Sequence, residues 1–345
     1  MRIAHINLAR GFRGGERQTE LLIRELANAG YEQVLVARRN GDLVNRMRDA
    51  AVDMREVRPR LLSAALAVHD AELVHVHEGR SIYAAYVRSI LSGTPYVVTR
   101  RVNNPIGQHW LAHKAYKRAA CVVGVSEDIS KILLRYDPMI RTIAIRSASS
   151  GFVTDQEEVA RIRGRHAGKF LVGHVGALDN VQKAQEYIIQ VAWELQKSHP
   201  QIQFMLVGGG SDEAMFRQAA AGLQNLEFAG FVDNVGDHLA AFDLFILPSN
   251  KEGIGGILLD AMDQGLAIVA SNVGGVPEIV RGGENGILIE PGRPDQLKAG
   301  ILKLMASPEL RQRYGDRGRQ ISSKYTAAGM SRKYEALYES VMAAR

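Results

Sequence analysis

The sequence of 345 residues contains a single cysteine, Cys121, within the apolar run 119–125. One cysteine excludes a disulfide within the chain and favours a reducing compartment, so we expect a cytoplasmic protein. Cys121 is interpreted as a buried strand residue rather than as a nucleophile. The sequence also lacks an apolar run of roughly 18 residues, which argues against a transmembrane helix. The N-terminal segment 1–12 is too short and too soon charged for a signal peptide.

Motifs that define several common enzyme classes are missing as well. The chain has no G-x-x-x-x-G-K-[ST] loop and no G-x-G-x-x-G fingerprint, although Gly208–Gly210 follows a predicted strand. It also shows no Ser-His-Asp order, no zinc-ligand set and no Asp-x-Asp pair. His75 and His77 lie on the same side of a predicted strand, but no third ligand has a supporting spacing. We therefore expect neither a bound metal nor a cofactor.

Positive charge is concentrated in the first half of the chain. Residues 1–150 carry 23 Lys+Arg against 14 Asp+Glu, whereas the remainder carries 20 against 23. This asymmetry indicates that the first half meets an anionic partner. Because no nucleic-acid-binding motif accompanies the charge, we expect an anionic membrane surface or a phosphorylated glycolipid instead. A solvated basic face without any partner is the alternative.

Predicted strands and helices alternate along the whole chain, and the alternation starts twice. Such alternation predicts an α/β fold of two doubly wound, Rossmann-like domains that face each other across a cleft. The small-residue segment 148–155 suits a hinge. We thus assign residues 1–150 to an N-terminal Rossmann-like domain and 151–326 to a C-terminal Rossmann-like domain. The last helix, 327–345, is expected to pack back on the first domain.

The segment 242–262 is the most informative loop region. It predicts a buried strand, a turn with Glu252 and several glycines, and a helix that begins at Gly255 and carries Asp260 about two turns further on. Glycines at the start of a helix let a phosphate approach backbone amides. Two carboxylates can hold different parts of a polar ligand such as a sugar. Lys183 follows the strand that ends near Gly176, and it can reach a diphosphate.

Several loops of the first half also follow strands. Gly11, Gly14 and Gly15 precede a predicted helix that begins at Glu16, which is a weak signal for an anion or sugar site. His77 ends a strand and is expected either to contact substrate or to be structural. Arg100 and Arg101 also follow a strand, and the basic, aromatic segment 110–118 predicts a helix that rests on lipid headgroups or is simply solvated.

With these residues in view, the chain resembles the retaining glycosyltransferase family 4, which has the GT-B fold and includes lipopolysaccharide-core enzymes. The strongest resemblance lies in LPSNKEGIGGILLDAMDQGLAIVASNVGGVPEIV, followed by GENGILIEPG. Supporting matches are GGE at 14–16, VHVHE at 74–78, VSE at 125–127, VGAL with Lys183, and VGGGSDE at 207–213. The resemblance covers essentially the whole length.

The resemblance implies transfer of a sugar from a nucleotide sugar, with UDP-sugar as the expected donor, to an acceptor hydroxyl without a metal. It implies these roles by position: Glu252 and His77 near the reacting sugar, Asp260 on the ribose, Ile254, Gly255 and Gly256 on the diphosphate, and Gly176 and Lys183 beside it. Gly14, Gly15, Glu16, Arg100 and Arg101 would line the acceptor side.

Two positions depart from the family pattern. Asp260 stands where the family usually has Glu, and Ala177 stands where it often has Arg, so one cation on the diphosphate is missing. Arg101 or Lys251 is a candidate to replace that cation. The departures keep two other hypotheses open: a nucleotide-sugar epimerase or hydrolase of the same fold, and a non-catalytic sugar-nucleotide binder.

Overall fold

The computed structural model describes residues 1–107 and 109–345. The chain forms two compact units: Met1–Ser150 with Tyr325–Arg345, and Gly151–Lys324. Each unit is built on one parallel sheet flanked by helices. The predicted α/β class with two Rossmann-like domains is confirmed.

The sheet of the first unit has seven strands in the described ranges: β1 Arg2–Asn7, β2 Glu32–Arg38, β3 Asp53–Val57, β4 Leu73–Val76, β5 Tyr96–Arg100, β6 Cys121–Gly124 and β7 Thr142–Ala144. Their spatial order is β3-β2-β1-β4-β5-β6-β7. The chain runs outward from β1 to β3 and then returns to the other side of β1. The order therefore reverses between β1 and β4, and parallel sheets bind ligands at the carboxyl ends of such a pair.

The helices that connect these strands are α1 Gly14–Asn28, α2 Asp42–Arg46, α3 Leu61–Leu66, α4 Ile82–Ser92, α5 Trp110–Arg118 and α6 Glu127–Tyr136. The sequence pattern predicts this helix over 107–119, but α5 begins at Trp110, with His109 as its N-cap: the His109 side chain accepts a hydrogen bond from the backbone amide of Ala112. Residue 108, within the predicted range, lies outside the described residues.

The second unit repeats the arrangement with six strands: β8 Phe170–Val175, β9 Ile202–Val207, β10 Leu226–Gly230, β11 Leu244–Leu247, β12 Ile268–Ser271 and β13 Gly286–Ile289. They lie in the order β10-β9-β8-β11-β12-β13. The order reverses here between β8 and β11. Both strands are almost entirely buried, as expected for the centre of a parallel sheet covered on two faces.

The helices of the second unit are α7 Gln156–Arg165, α8 Asn180–Lys183, α9 Gln185–Leu195, α10 Glu213–Ala219, α11 Val235–Ala241, α12 Ile257–Asp263, α13 Pro294–Ala306 and α14 Pro308–Ser322, with a 3₁₀ turn at Val276–Glu278. The sequence pattern over 183–198 predicts a single helix, but the structure has two helices here, α8 and α9. They are separated at Ala184, whose φ of +53° is left-handed and cannot continue a helix.

The final helix, α15 Ala327–Ala343, belongs to the first unit. Its inner face joins the core of that unit through buried Tyr334 and Tyr338. The Tyr338 hydroxyl lies 2.6 Å from His75 Nδ1, and the Tyr334 hydroxyl lies 2.9 Å from Thr99 Oγ1. Polar contacts thus tie the C-terminal helix to strands β4 and β5.

Candidate active site

Two loops of the second unit meet where its strand order reverses, after β8 and after β11. The backbone amides of Asn250 and Lys251 donate to the carbonyl oxygen of Gln182, at 2.9 and 3.1 Å. These bonds hold the loop after β11 against α8. As a result, Lys183 and Glu252, which are 69 positions apart, come into contact.

Lys183 and Glu252 form an ion pair in this crevice. Lys183 Nζ lies 2.5 Å from Glu252 Oε1, and Ser249 Oγ donates to the same oxygen at 2.8 Å. The Glu252 side chain is 7% exposed, whereas Lys183 is 21% exposed. Because removing one partner would leave a buried charge uncompensated, the lysine stabilises the carboxylate and the carboxylate fixes the lysine.

Glycines allow close backbone approach around this pair. Gly208 has a φ of +128°, and a Cβ placed on it would lie 2.1 Å from the carbonyl oxygen of Gly176. Any other residue at 208 would therefore push the loops after β8 and β9 apart. A Cβ on Gly176 would lie 3.8 Å from Lys183 Cε, so the lysine stem passes directly over this glycine.

The helix after β11 begins at Ile257, two residues later than predicted. Gly255 has a left-handed φ of +72°, and Gly256 is the N-cap. Amides at this end of the helix carry partial positive charge. Because α12 begins at Ile257, the buried Asp260 lies in its first turn. The predicted position of Asp260, about two turns into the helix, was wrong. Ile254 is buried just before this turn.

A buried histidine network supports the loop after β8. His174 Nδ1 lies 3.1 Å from the carbonyl oxygen of Ile246, and Gln185 Nε2 donates to the carbonyl oxygen of Ala177 at 2.7 Å. Burial lowers the pKa of His174 to about 4, so the ring is neutral at pH 7. Sequence reasoning missed His174, although a histidine inside the apolar strand FLVGHV is itself a signal. Lys251, the candidate substitute cation, is exposed.

In the first unit, the loop after β1 is held by the carboxylate of Glu16. Gly14 and Gly15 are the first residues of α1, and Glu16 Oε2 accepts from the backbone amide of Arg13 at 3.0 Å. Asn7 Nδ2 donates to Glu16 Oε1 at 3.4 Å. Burial raises the pKa of Glu16. These contacts show that Glu16 shapes the loop. A Cβ on Gly14 would meet nothing within 4 Å, so this glycine leaves the surface of the turn open.

The two predicted arginines after β5 lie in different surroundings. Arg100 is buried and donates to the Tyr116 hydroxyl at 3.2 Å and to the carbonyl oxygen of Asn104. Through these hydrogen bonds, Arg100 holds the loop that follows β5. Arg101 covers Gly15, since a Cβ on that glycine would lie 3.3 Å from Arg101 Cδ. Burial lowers the pKa of Arg101, and Glu16 opposes that shift electrostatically.

His77 follows β4 at the reversal point of the first sheet, and it belongs to a cluster of three buried histidines. Its ring lies 3.9 Å from the ring of His75, and its Nε2 lies 2.9 Å from Nδ1 of His5. Burial lowers the pKa of all three rings, that of His5 to about 3. Sequence reasoning missed His5, because strand register, which pairs His5 with His75, brings it there.

From the sequence we expected no third ligand beside His75 and His77. That expectation was wrong, because His5 supplies a third imidazole. The ring nitrogens of His5, His75 and His77 lie within 4.8 Å of one another. However, His75 Nε2 and Nδ1 face the hydroxyls of Thr99 and Tyr338 at 2.7 and 2.6 Å. His5 and His77 are at hydrogen-bonding distance from each other, shorter than adjacent ligands of a tetrahedral metal. The donor set thus fits a hydrogen-bonded cluster better than a metal site.

The predicted site residues form two sets, one in each unit. Gly176, Lys183, Glu252, Ile254, Gly255, Gly256 and Asp260 belong to the second unit, and Gly14, Gly15, Glu16, His77, Arg100 and Arg101 to the first. In the second unit, the set follows the strands that flank the reversal of strand order, β8 and β11. In the first unit, the loop after β1 and His77 after β4 do so, whereas Arg100 and Arg101 lie at the end of the next strand, β5. The reversal of strand order is the position at which doubly wound sheets bind their ligands.

Comparisons with known proteins agree with this architecture. The family model "Glycosyl transferases group 1" matches residues 155–321, and the model "Glycosyltransferase Family 4" matches residues 12–144. Alpha-D-kanosaminyltransferase of Streptomyces kanamyceticus is 25% identical over 78% of this chain and 77% of its own length. Alpha-maltose-1-phosphate synthase of Mycolicibacterium smegmatis is 26% identical over 75% and 77%, respectively.

Solved structures share the fold over the whole chain. HepE of Anabaena in complex with UDP-glucose has a TM-score of 0.86 at 18% identity, covering 99% of this chain and 100% of HepE. The lipopolysaccharide outer core galactosyltransferase WaaB, in its apo form, has a TM-score of 0.72 at 15% identity, covering 99% of each chain.

Two Rossmann-like domains, each with a polar, glycine-bearing site at its switch point, define a glycosyltransferase of the GT-B class that takes its sugar from a nucleotide sugar. The chain belongs to glycosyltransferase family 4. Among the helices in the described ranges, none has the length and apolar character needed to cross a membrane.

Proposed function

We propose that this protein is a retaining glycosyltransferase that moves a sugar from a UDP-sugar to a hydroxyl of a glycolipid or saccharide acceptor. The observation that carries the proposal is the Lys183–Glu252 pair at the switch point of the second sheet. UDP as the nucleotide is supported by HepE, whose structure was solved with UDP-glucose. A role in cell-envelope polysaccharide or lipopolysaccharide synthesis is supported by the likeness to WaaB.

The donor site proposed here neutralises the leaving group with groups of the protein. As the bond to the sugar breaks, negative charge develops on the nucleoside diphosphate. Lys183 and the amides around Gly255 and Gly256 stabilise that charge. Asp260 holds the ribose. Because aspartate is one methylene shorter than glutamate, this contact is either longer than a glutamate would make or bridged by water. We propose that neither a cofactor nor a divalent metal takes part, and that Lys251 or Arg101 replaces the cation missing at Ala177.

Retention follows in this proposal from a front-face attack within an ion pair. Glu252 Oε1 accepts from both Lys183 and Ser249, and such bonds lower the nucleophilicity of a carboxylate. A covalent glycosyl intermediate on Glu252 is thereby disfavoured. Glu252 contacts the donor sugar instead, and His77 lies near the reacting sugar. The acceptor hydroxyl then attacks from the side on which the diphosphate leaves, and its proton passes to an oxygen of the leaving diphosphate.

The first unit is proposed to contact an anionic membrane surface while it binds the acceptor. Residues 79–126 contain seven Lys or Arg and no Asp or Glu. Helices α3 and α4 pack together and expose large apolar side chains: Leu62, Leu66, Ile90 and Leu91 are each at least 55% exposed. On α5, Trp110 is 67% exposed, with Lys114 Nζ 5.1 Å from its ring centroid. Apolar side chains beside basic ones suit anionic headgroups.

A donor screen tests the proposed function. Thermal unfolding is measured with UDP, GDP, ADP and their glucose sugars, because a ligand that binds only the native state raises the unfolding temperature. UDP and UDP-sugars are expected to give the largest increase, with and without EDTA. Product analysis by NMR then reads the anomeric configuration. Free sugar or an epimer as the only product, even with glycolipid acceptors present, would overturn the transferase proposal.

A further inference from the structure

A chain of hydrogen bonds crosses the first sheet and ends at His77. Gln33 Nε2 donates to the carbonyl oxygen of Ile23 at 3.0 Å, and Gln33 Oε1 lies 3.1 Å from His5 Nε2. His5 Nδ1 in turn lies 2.9 Å from His77 Nε2. Gln33, His5 and His77 are all buried, and they come from β2, β1 and the residue after β4.

The carbonyl oxygen of Ile23 fixes which atom is the donor and which the acceptor in every hydrogen bond of this series. A carbonyl oxygen only accepts, so the Gln33 amide must turn its NH₂ group toward Ile23 and its oxygen toward His5. That oxygen also only accepts, so His5 Nε2 carries the hydrogen. A neutral imidazole has one N–H group, and His5 Nδ1 is therefore an acceptor. His77 Nε2 must then be the donor, which leaves the lone pair of neutral His77 on Nδ1.

The last atom of this chain of hydrogen bonds, His77 Nδ1, points to a ligand. His77 Nδ1 is buried and has no hydrogen-bond partner among the residues that the structure describes. The charged and titratable groups that act on His77 are His75, His5 and Arg101, and none of them supplies a hydrogen to this nitrogen. A buried acceptor without a donor costs free energy unless a ligand supplies one.

We propose that His5 and Gln33 are positioning residues that hold His77 as its Nε2–H tautomer, so that His77 Nδ1 accepts a hydrogen bond from a hydroxyl of a bound sugar. The proposal rests on the proposed function only for the identity of the hydroxyl, which belongs either to the donor sugar or to the acceptor. The tautomer itself follows from the protein alone. His5 and Gln33 touch no substrate and act through His77.

The tautomer is tested without any substrate. Protein labelled with ¹⁵N-histidine is compared with the His77→Gln variant, which assigns the His77 signals. Nδ1 of His77 is expected to have the shift of an unprotonated nitrogen and Nε2 that of a protonated one. A protonated Nδ1 in the folded protein would overturn the proposal. This result does not depend on whether the protein transfers sugars.

Two variants then test the positioning role. Gln33→Met keeps the shape of the side chain but sets no direction for His5, so the His77 signals should report a mixture of tautomers. His5→Phe removes the donor–acceptor link. In both variants kcat is expected to fall at least about fivefold with little change in the KM for UDP-sugar. The exposed His69, changed to Gln, is the matched control. If Gln33→Met folds but leaves both the tautomer and kcat unchanged, the proposal fails.

The source of the hydroxyl is read from two rates. Donor hydrolysis without acceptor and sugar transfer with acceptor are measured for the same variants. A loss in both rates assigns the hydroxyl to the donor sugar, and a loss in transfer alone assigns it to the acceptor. Absence of both activities in the unmodified protein, together with the expected ¹⁵N shifts, would overturn the proposed function and keep the tautomer assignment.

Discussion

Lys183 Nζ and Glu252 Oε1 lie 2.5 Å apart, in a crevice where both side chains were expected to serve the sugar nucleotide. The ion pair links the role proposed for Lys183 at the diphosphate to the role proposed for Glu252 at the donor sugar. In the proposed donor site, Glu252 orients the ammonium group of Lys183, and Lys183 supplies the positive charge for the diphosphate. Glu252 is buried, and both Lys183 and Ser249 donate to its Oε1.

Variants of this pair should separate binding from chemistry. Lys183→Met is expected to weaken UDP binding at least about tenfold, because it removes a cation and leaves a buried negative charge near the phosphates. Glu252→Gln should bind UDP with similar affinity but lose most of its kcat with the UDP-sugar. Calorimetric titration gives the affinities, and initial rates give kcat.

Lys169→Met is the matched control for this experiment. Lys169 precedes β8 at the amino end of the same sheet and donates to the carbonyl oxygen of Pro200. Its substitution should leave the affinity for UDP unchanged. An unchanged affinity in Lys183→Met as well would remove Lys183 from the donor site.

Replacement of Ala184 by glycine should change the stability of the second unit little. Ala184 has a φ of +53°, a conformation that costs an L-residue roughly 1–2 kcal/mol and glycine little. The greater entropy of glycine in the unfolded chain and the loss of a fully buried methyl group offset this gain, so Ala184→Gly should change the free energy of unfolding by less than about 0.5 kcal/mol. Urea titration measures the change.

A clear loss of stability is expected instead at a helical alanine of the same unit. Ala160 is exposed in the middle of α7, where glycine costs about 1 kcal/mol relative to alanine. Equal destabilisation in Ala160→Gly and Ala184→Gly would contradict the left-handed assignment of Ala184.

Stability should fall on mild acidification because of the buried histidines. The pKa of His174 is lowered to about 4 in the folded protein, against about 6.5 in an unfolded chain. Below pH 6.5 the unfolded state binds a proton that the native state does not, so stability is present above 6.5 and is lost as the pH falls towards 4. By linkage, His174 alone should cost about 2 kcal/mol at pH 5 relative to pH 7.5.

The measurement is urea unfolding at pH 7.5, 6.0 and 5.0. His5, His75 and His77 should act in the same direction on the first unit, since burial lowers the pKa of each. In His174→Gln the loss on going to pH 5 should be smaller for the second unit, whatever the stability of the variant at pH 7.5. An identical slope in this variant would show that His174 is not a buried neutral ring.

Apolar side chains on α3 and α4 should contribute to membrane binding. Changing both Leu62 and Leu66 to Gln is expected to reduce binding to vesicles that contain anionic lipid at least about threefold, because each exposed leucine side chain offers apolar area to the bilayer interface. Flotation with phosphatidylglycerol-containing vesicles measures the binding, and pure phosphatidylcholine vesicles should bind less. The exposed Met215 of the second unit, changed to Gln, serves as control.

Equal binding to both kinds of vesicle would contradict a role for the basic stretch 79–126. Unchanged binding of the double leucine variant would remove α3 from the membrane surface. Either result leaves the donor site unaffected, because that site lies in the second unit.

Local patterns predicted most of the elements but not all of them. Strand β3 is missed because DMREV has three charged residues in five and lies at the sheet edge, paired only with β2. Helices α7 and α14 are missed because their faces are largely polar. The break at Ala184 is missed because nothing in the sequence marks an alanine as left-handed. The late start of α12, in contrast, is consistent with Gly255 and Gly256.

The sequence by itself determined the alternation of apolar strands and helices, and with it two doubly wound sheets. A parallel strand that is buried on both faces is a short, continuous run of apolar residues, which can be recognised locally. It also determined which glycine-bearing loops follow those strands. Only the tertiary structure decided which distant side chains meet. Lys183 reaches Glu252, His5 reaches His77, and Tyr338 reaches His75 across 263 positions, because strand order and register set these neighbours.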